Sequence, residues 1–224
     1  MFEIYTKMFQ ALLPGKVEEF AKKEKGTVKD AIMVILFAWI VSFFLDLIGA
    51  GLAIGKGAAA LAPLMNLFGG TVVGGLMIVA VAVGSIFALI WALFFNYIMQ
   101  WVGSFVSKAG FKGAGNFPQQ FYVAMLFTGA ITIINSVLNM VFGLLPFLGI
   151  VNGIVGLVLG IYALYLMYLT VKSVQKVEML GAIVSVLAMF VVGMVLALII
   201  GMLIVLILVA LGVGAAGAVA GAGA

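Results

Sequence analysis

An all-α, polytopic membrane helical bundle of about five transmembrane helices is the fold this sequence predicts, and three observations predict it. The mean hydropathy is +1.40. Of 224 residues, 67% are hydrophobic and only 8% charged, far outside soluble-domain usage. Several apolar runs exceed the roughly 20 residues that a helix needs to cross a bilayer, and the basic residues cluster between those runs. Composition also excludes chemistry. Cysteine and histidine are absent and all eleven basic residues are lysine. Disulfides, Cys/His metal sites and His- or Cys-based nucleophilic catalysis are therefore ruled out, and no cofactor is expected. A pI near 9.3 does not point to nucleic acid, because the lysines sit beside apolar spans, where topology accounts for them.

Residues 1–28 alternate apolar positions (Phe2, Ile4, Met8, Phe9, Leu12, Leu13) with polar ones and break at Pro14-Gly15 before Val17, Phe20 and a Lys/Glu cluster. The pattern predicts an amphipathic, cytoplasmic or interfacial segment, a helix pair lying on the membrane surface, with a docking arm for a soluble partner as its functional alternative. It lacks the uncharged core and small-residue cleavage site of a signal peptide. Residues 29–211 make up the five-span domain. Span one, about Lys29 to Gly51, carries Asp46 about 25 Å past its start, near the far interface. An interfacial acid is the plain reading there, and an ion or proton site would need a second charged group in the spans. Residues 52–70, with Lys56, Pro63 and many Gly and Ala, read as a loop or a surface helix. Span two, about Thr71 to Ser107, is too long for a core of about 30 Å, so it tilts or projects. The glycine-bearing stretch after Lys108 is a connector, lacking the spacing of a phosphate loop.

Span three, about Gln120 to Leu144, places Thr128, Thr132, Asn135 and Asn139 on one helical face. Span four, about Phe147 to Val171, returns after a short turn and brings Asn152 to the depth of Asn139, so Asn135, Asn139 and Asn152 are expected to form an intramembrane polar cluster. A polar pathway for a solute is the rival reading of the same stripe. Span four also carries Gly149-xxx-Gly153 and Gly156-xxx-Gly160, and span five, from about residue 179 to Leu211, carries Gly193-xxx-Ala197-xxx-Gly201. Both are expected to be helix-packing faces where a neighbour's backbone approaches closely. Residues 212–224, only Gly, Ala and Val apart from their position after Leu211, read as a frayed tail.

Ten of the eleven lysines fall on one side of this arrangement and only Lys56 on the other. The positive-inside rule then places the N-terminus in the cytoplasm and the C-terminus outside.

The stretch Phe105-Val-Ser-Lys-Ala-Gly-Phe-Lys-Gly-Ala-Gly-Asn-Phe-Pro-Gln-Gln-Phe-Tyr-Val-Ala, followed by Leu144-Leu-Pro-Phe-Leu-Gly, Ile161-Tyr-Ala-Leu-Tyr-Leu and Lys172-Ser-Val-Gln-Lys, resembles the core of the Yip family, the Ypt/Rab-interacting five-span membrane proteins. The likeness spans about residues 5–200 and is of the prokaryotic type. It implies five spans, a cytoplasmic N-terminus, no enzymatic activity and action through membrane partners, here in the plasma membrane of a prokaryote. The expected partners are lipids and membrane or peripheral proteins, including a second copy, with no nucleic acid. The expected function is a membrane scaffold or adaptor. The alternative is a permease or channel component for an uncharged solute, built on the polar stripe of span three.

Overall fold

The computed structural model describes residues 2–68, 70–143 and 149–221, and every element among them is helical. In chain order they are α1 (Phe2–Gln10), α2 (Pro14–Lys23), α3 (Val28–Phe68), α4 (Gly70–Phe111), α5 (Phe117–Gly143), α6 (Gly149–Gln175) and α7 (Met179–Gly221). Five stretches are long and apolar enough to cross a membrane: Val28–Gly49, Ala82–Phe111, Phe117–Phe142, Ile150–Gln175 and Met179–Leu203. The turn at Leu144 to Phe147 and the last three residues lie outside the described residues.

The helix boundaries follow from local chemistry. Pro14 occupies the first turn of α2, where its missing N–H costs nothing, and the Leu13 carbonyl accepts from the Lys16 and Val17 amides at 2.9 and 3.1 Å. Thr27 and Asp30 form a reciprocal cap at the start of α3. The Asp30 carboxylate accepts from the Thr27 amide at 2.9 Å and its hydroxyl at 2.7 Å, and the Asp30 amide donates to the same hydroxyl at 3.2 Å. Lys112 and Lys176, just past α4 and α6, adopt the left-handed conformation that ends a helix. The α4–α5 connector then folds over α6: the Ala114 amide donates to the Gln175 carbonyl at 2.9 Å. Gly115 is required there, since an added Cβ would lie 2.2 Å from the Val174 carbonyl oxygen.

The most buried span is α5. Its Phe121 to Phe127 run, with Ala130 and Ile131, forms the core together with Val34 and Ala38 of α3, Leu166 and Leu169 of α6, and Met8, Val17 and Phe20 of the N-terminal helices. A smaller cluster joins Val171 and Val177 to Ala182 and Met189 of α7. In contrast, the apolar faces of α4, α6 and α7 remain largely exposed, as surfaces bathed in hydrocarbon do.

Three expectations are corrected. Residues 52–68 are neither a loop nor a separate surface helix, because α3 runs unbroken to Phe68. The expectation gave weight to Pro63 and the glycines, whereas the alanines and leucines around them favour helix. The tail is likewise helical as far as Gly221, with alanine again the dominant helix former.

The third correction concerns residues 1–28. The helix pair is present, but it is tucked into the bundle instead of lying on a surface. Met8, Ala11 and Val17 are fully buried, and the Met8 methyl packs on Gly129, where an added Cβ would lie 2.8 Å from it. The Tyr162 hydroxyl donates to the Leu12 carbonyl at the hairpin tip. Tyr162 lies thirteen residues before the end of α6, so the tip reaches about 20 Å along that helix. The hairpin therefore packs along the bundle with its apolar face serving as core, while the Lys16–Glu19 ion pair lies near its tip and further charges stand at its open end. There the Lys7 ammonium sits 2.8 Å from Glu24 and 3.2 Å from Glu3, and the Gln119 amide donates to the Ala21 and Glu24 carbonyls at 2.6 and 2.9 Å. The hydrogen bond from Lys7 to Glu24 raises the lysine pKa; burial opposes it and Glu3 reinforces it.

Candidate functional site

Two sets of polar side chains lie inside the spans. The first is a glutamine cluster near the lysine-bearing end. Gln100 of α4, Gln120 of α5 and Gln175 of α6 are fully buried. The Gln120 amide donates to the Gln100 side-chain oxygen at 2.9 Å and to its carbonyl at 3.1 Å. The Gln175 amide donates to the Gln120 oxygen at 2.6 Å and to the Ser104 hydroxyl at 3.1 Å. Gln100 completes the set by donating to the Met167 sulfur at 2.8 Å. Nearby, the Ser107 and Ser185 hydroxyls share a hydrogen bond of 2.8 Å that ties α4 to α7. In hydrocarbon such groups have no water to turn to, and these bonds hold the register of three spans, although the Gln175 side-chain oxygen is buried with no partner among the described residues.

The second set lines a cavity of about 240 Å³ between α3, α4 and α5. Its walls include Trp39, Ser42, Phe43 and Asp46 of α3, Ser85, Ala92 and Asn96 of α4, and Thr128, Gly129, Thr132 and Ser136 of α5. Asp46 is exposed at the rim, on the walls that also carry the buried Ser136. The Trp39 indole N–H donates to the Ser85 carbonyl at 2.8 Å, fixing the ring, which stacks on Phe43 at 5.6 Å between centroids. Ser42 is buried and its hydroxyl has no hydrogen-bond partner among the described residues.

The residues singled out from the sequence fare differently from one another. Asn152 donates to the Asn139 side-chain oxygen at 2.7 Å, and no hydrogen bond joins Asn135 to either among the described residues. The stripe of span three is divided: Thr128 and Thr132 line the cavity, while Asn139 serves the α5–α6 pair. Gly193 is buried, and an added Cβ would lie 2.9 Å from the Met99 methyl and 3.0 Å from the Phe95 ring, so α7 does seat α4 there. By contrast, a Cβ at Gly153, Gly156, Gly160 or Gly201 would meet nothing within 4 Å, and Ala197 is exposed beside Gly201 in a shallow apolar groove. Among the described residues of one copy of the chain, these α6 glycines seat no neighbouring helix. The α5 and α2 contacts use other faces of α6, and the glycine face is bare. Gly149 stands at the first position of α6, and its packing lies outside what the structure describes.

The glutamine cluster and the cavity were not anticipated. Gln100, Gln120 and Gln175 fall near span ends, where polar residues read as interfacial. A signal for the cavity does exist: Ser42 and Asp46, and Thr128, Thr132 and Ser136, recur every four residues on their helices.

Against protein-family models, residues 45–201 match the Yip1 domain, from Leu45 on α3 to Gly201 on α7. No curated protein and no solved structure matches the chain significantly. The match takes in more than half of the chain, including α4, α5 and α6 entire, and with its five apolar spans this chain belongs to the Yip1 domain family.

Proposed function

We propose that this Yip-type membrane protein is a non-enzymatic scaffold of the plasma membrane that acts by packing against the spans of partner proteins. One observation carries the reading: the bare glycine face of α6. A Cβ added at Gly153, Gly156 or Gly160 would meet nothing within 4 Å among the described residues, and Ile154, Leu157 and Ile161 beside them are 59%, 65% and 61% exposed. In lipid, helices associate through close packing and not through a hydrophobic drive, so a stripe that admits another backbone is useful only when another helix occupies it. A pathway for an uncharged solute is less well supported. The residues lining the cavity end at Asn96, four short of Gln100, where the glutamine cluster is fully buried.

A photo-crosslinker placed at Leu157 in native membranes tests the reading. The expected result is a crosslink to one defined membrane protein, or to a second copy of the chain, that Gly156→Leu abolishes while leaving the unfolding midpoint unchanged. Crosslinks to lipid alone, or protein crosslinks indifferent to Gly156→Leu, would refute it.

A further inference from the structure

The cavity between α3, α4 and α5 plays no part in the scaffold reading, yet its chemistry is selective. Three of its polar groups each direct a donor at their own helix. The Ser85 hydroxyl donates to the Ala82 carbonyl at 2.8 Å, the Thr132 hydroxyl to the Thr128 carbonyl at 2.9 Å, and the Asn96 amide to the Ala92 carbonyl at 2.8 Å. What they leave for an occupant includes hydroxyl lone pairs, the Asn96 oxygen and the Asp46 carboxylate. The Ser42 hydroxyl, 5% exposed and without a partner among the described residues, adds a polar group inside the protein that nothing yet satisfies.

Charge narrows the choice. Asp46 is the one formal charge on the cavity walls, and the four ion pairs among the described residues all lie in the N-terminal hairpin, none involving Asp46. The complementary occupant is therefore a cation. Size and shape narrow it further: about 240 Å³ holds roughly eight waters by liquid volume, far more than a bare metal ion fills. The stacked Trp39 and Phe43 rings form an apolar wall of the kind that attracts organic cations through their π faces.

We propose that this cavity binds an organic ammonium group, with Asp46 supplying the counter-charge, Trp39 and Phe43 the aromatic wall, and Ser42 an acceptor. The same chemistry is offered by a free amine and by the headgroup of an aminophospholipid entering from the side.

Unfolding followed by tryptophan fluorescence tests this on the whole chain in lipid-free detergent at neutral pH. The soluble probes are choline and ethanolamine, with sodium chloride at equal ionic strength as reference. The lipid probe is phosphatidylethanolamine, with phosphatidylglycerol as reference. A saturable rise in midpoint with either soluble amine assigns the site to a solute, and a rise with phosphatidylethanolamine alone assigns it to a lipid headgroup; both support the proposal. Asp46→Asn, which removes the charge and keeps the size, is expected to weaken binding about tenfold or more, and Asp46→Glu to restore binding. Should Asp46→Asn fail to fold, Phe43→Leu decides, with an expected loss of about two- to fivefold in choline affinity. No shift with any ammonium probe, an equal shift with the reference salt or lipid, or full binding by these variants would overturn it.

Discussion

Replacing Gln120 by leucine removes the centre of the glutamine cluster with little change in side-chain volume. Three hydrogen bonds disappear: two from the Gln120 amide to Gln100, at 2.9 and 3.1 Å, and one accepted from Gln175 at 2.6 Å. Side-chain hydrogen bonds between membrane helices contribute about 0.6 kcal/mol on average and up to about 1.7. The loss is not symmetric. Gln175 keeps Ser104 as a partner at 3.1 Å, but the Gln100 side-chain oxygen is left buried with no donor, which costs about 1–3 kcal/mol. The expected destabilisation is therefore about 2–4 kcal/mol. Asn139→Leu, which breaks a single bond at an exposed pair, is expected to cost about 0.6 to 2 kcal/mol without preventing insertion. Both can be measured by titrating a denaturing detergent into mixed micelles and following the fluorescence of Trp39, Trp91 and Trp101. Combined with Gln175→Leu in a double-mutant cycle, Gln120→Leu should show a coupling of about 1 kcal/mol or more. A cost below about 1 kcal/mol for Gln120→Leu, or one no larger than that of Asn139→Leu, would refute the assignment of register to this cluster.

Gly115→Ala should destabilise by about 1–3 kcal/mol, because its Cβ would meet the Val174 and Gln175 backbone, whereas Gly110→Ala, with nothing within 4 Å, should be neutral in the same titration. The Lys7–Glu24 pair predicts a pH dependence. Because the folded pKa of Lys7 is raised, the stability it contributes is fully present below the unfolded value of about 10.4 and is lost as pH rises through the folded value. A cysteine introduced at Leu12 should therefore become reactive above that range and stay protected at neutral pH, and protection independent of pH would count against the pair as the latch of the hairpin. Single cysteines at Lys112 and Lys176 should be labelled by an impermeant reagent only in inverted vesicles; labelling in intact cells would reverse the orientation derived from the lysine count.

Much of the architecture was legible along the chain for a simple reason: a bilayer demands length and hydropathy of each span, and both are properties of a continuous run of residues. The five spans, the break at Pro14 and the likeness to the Yip family all rest on residues close in sequence. What only the tertiary structure decided depends on which face of a helix meets which neighbour. Gly193 and Gly156 share the same small-residue pattern, yet one is pressed by Met99 and Phe95 and the other is bare. Hydropathy could not separate them, because a glycine facing lipid and a glycine facing a helix are equally apolar. The N-terminal pair looked interfacial for the same reason: its amphipathic face suits either a membrane surface or a protein core, and the choice came from Gly129 and Tyr162, more than a hundred residues away. Likewise Gln100, Gln120 and Gln175 are unremarkable one at a time, and Asp46 looked isolated. They acquire meaning only where three helices converge, since a buried polar group is stabilised by partners that no local run of sequence contains.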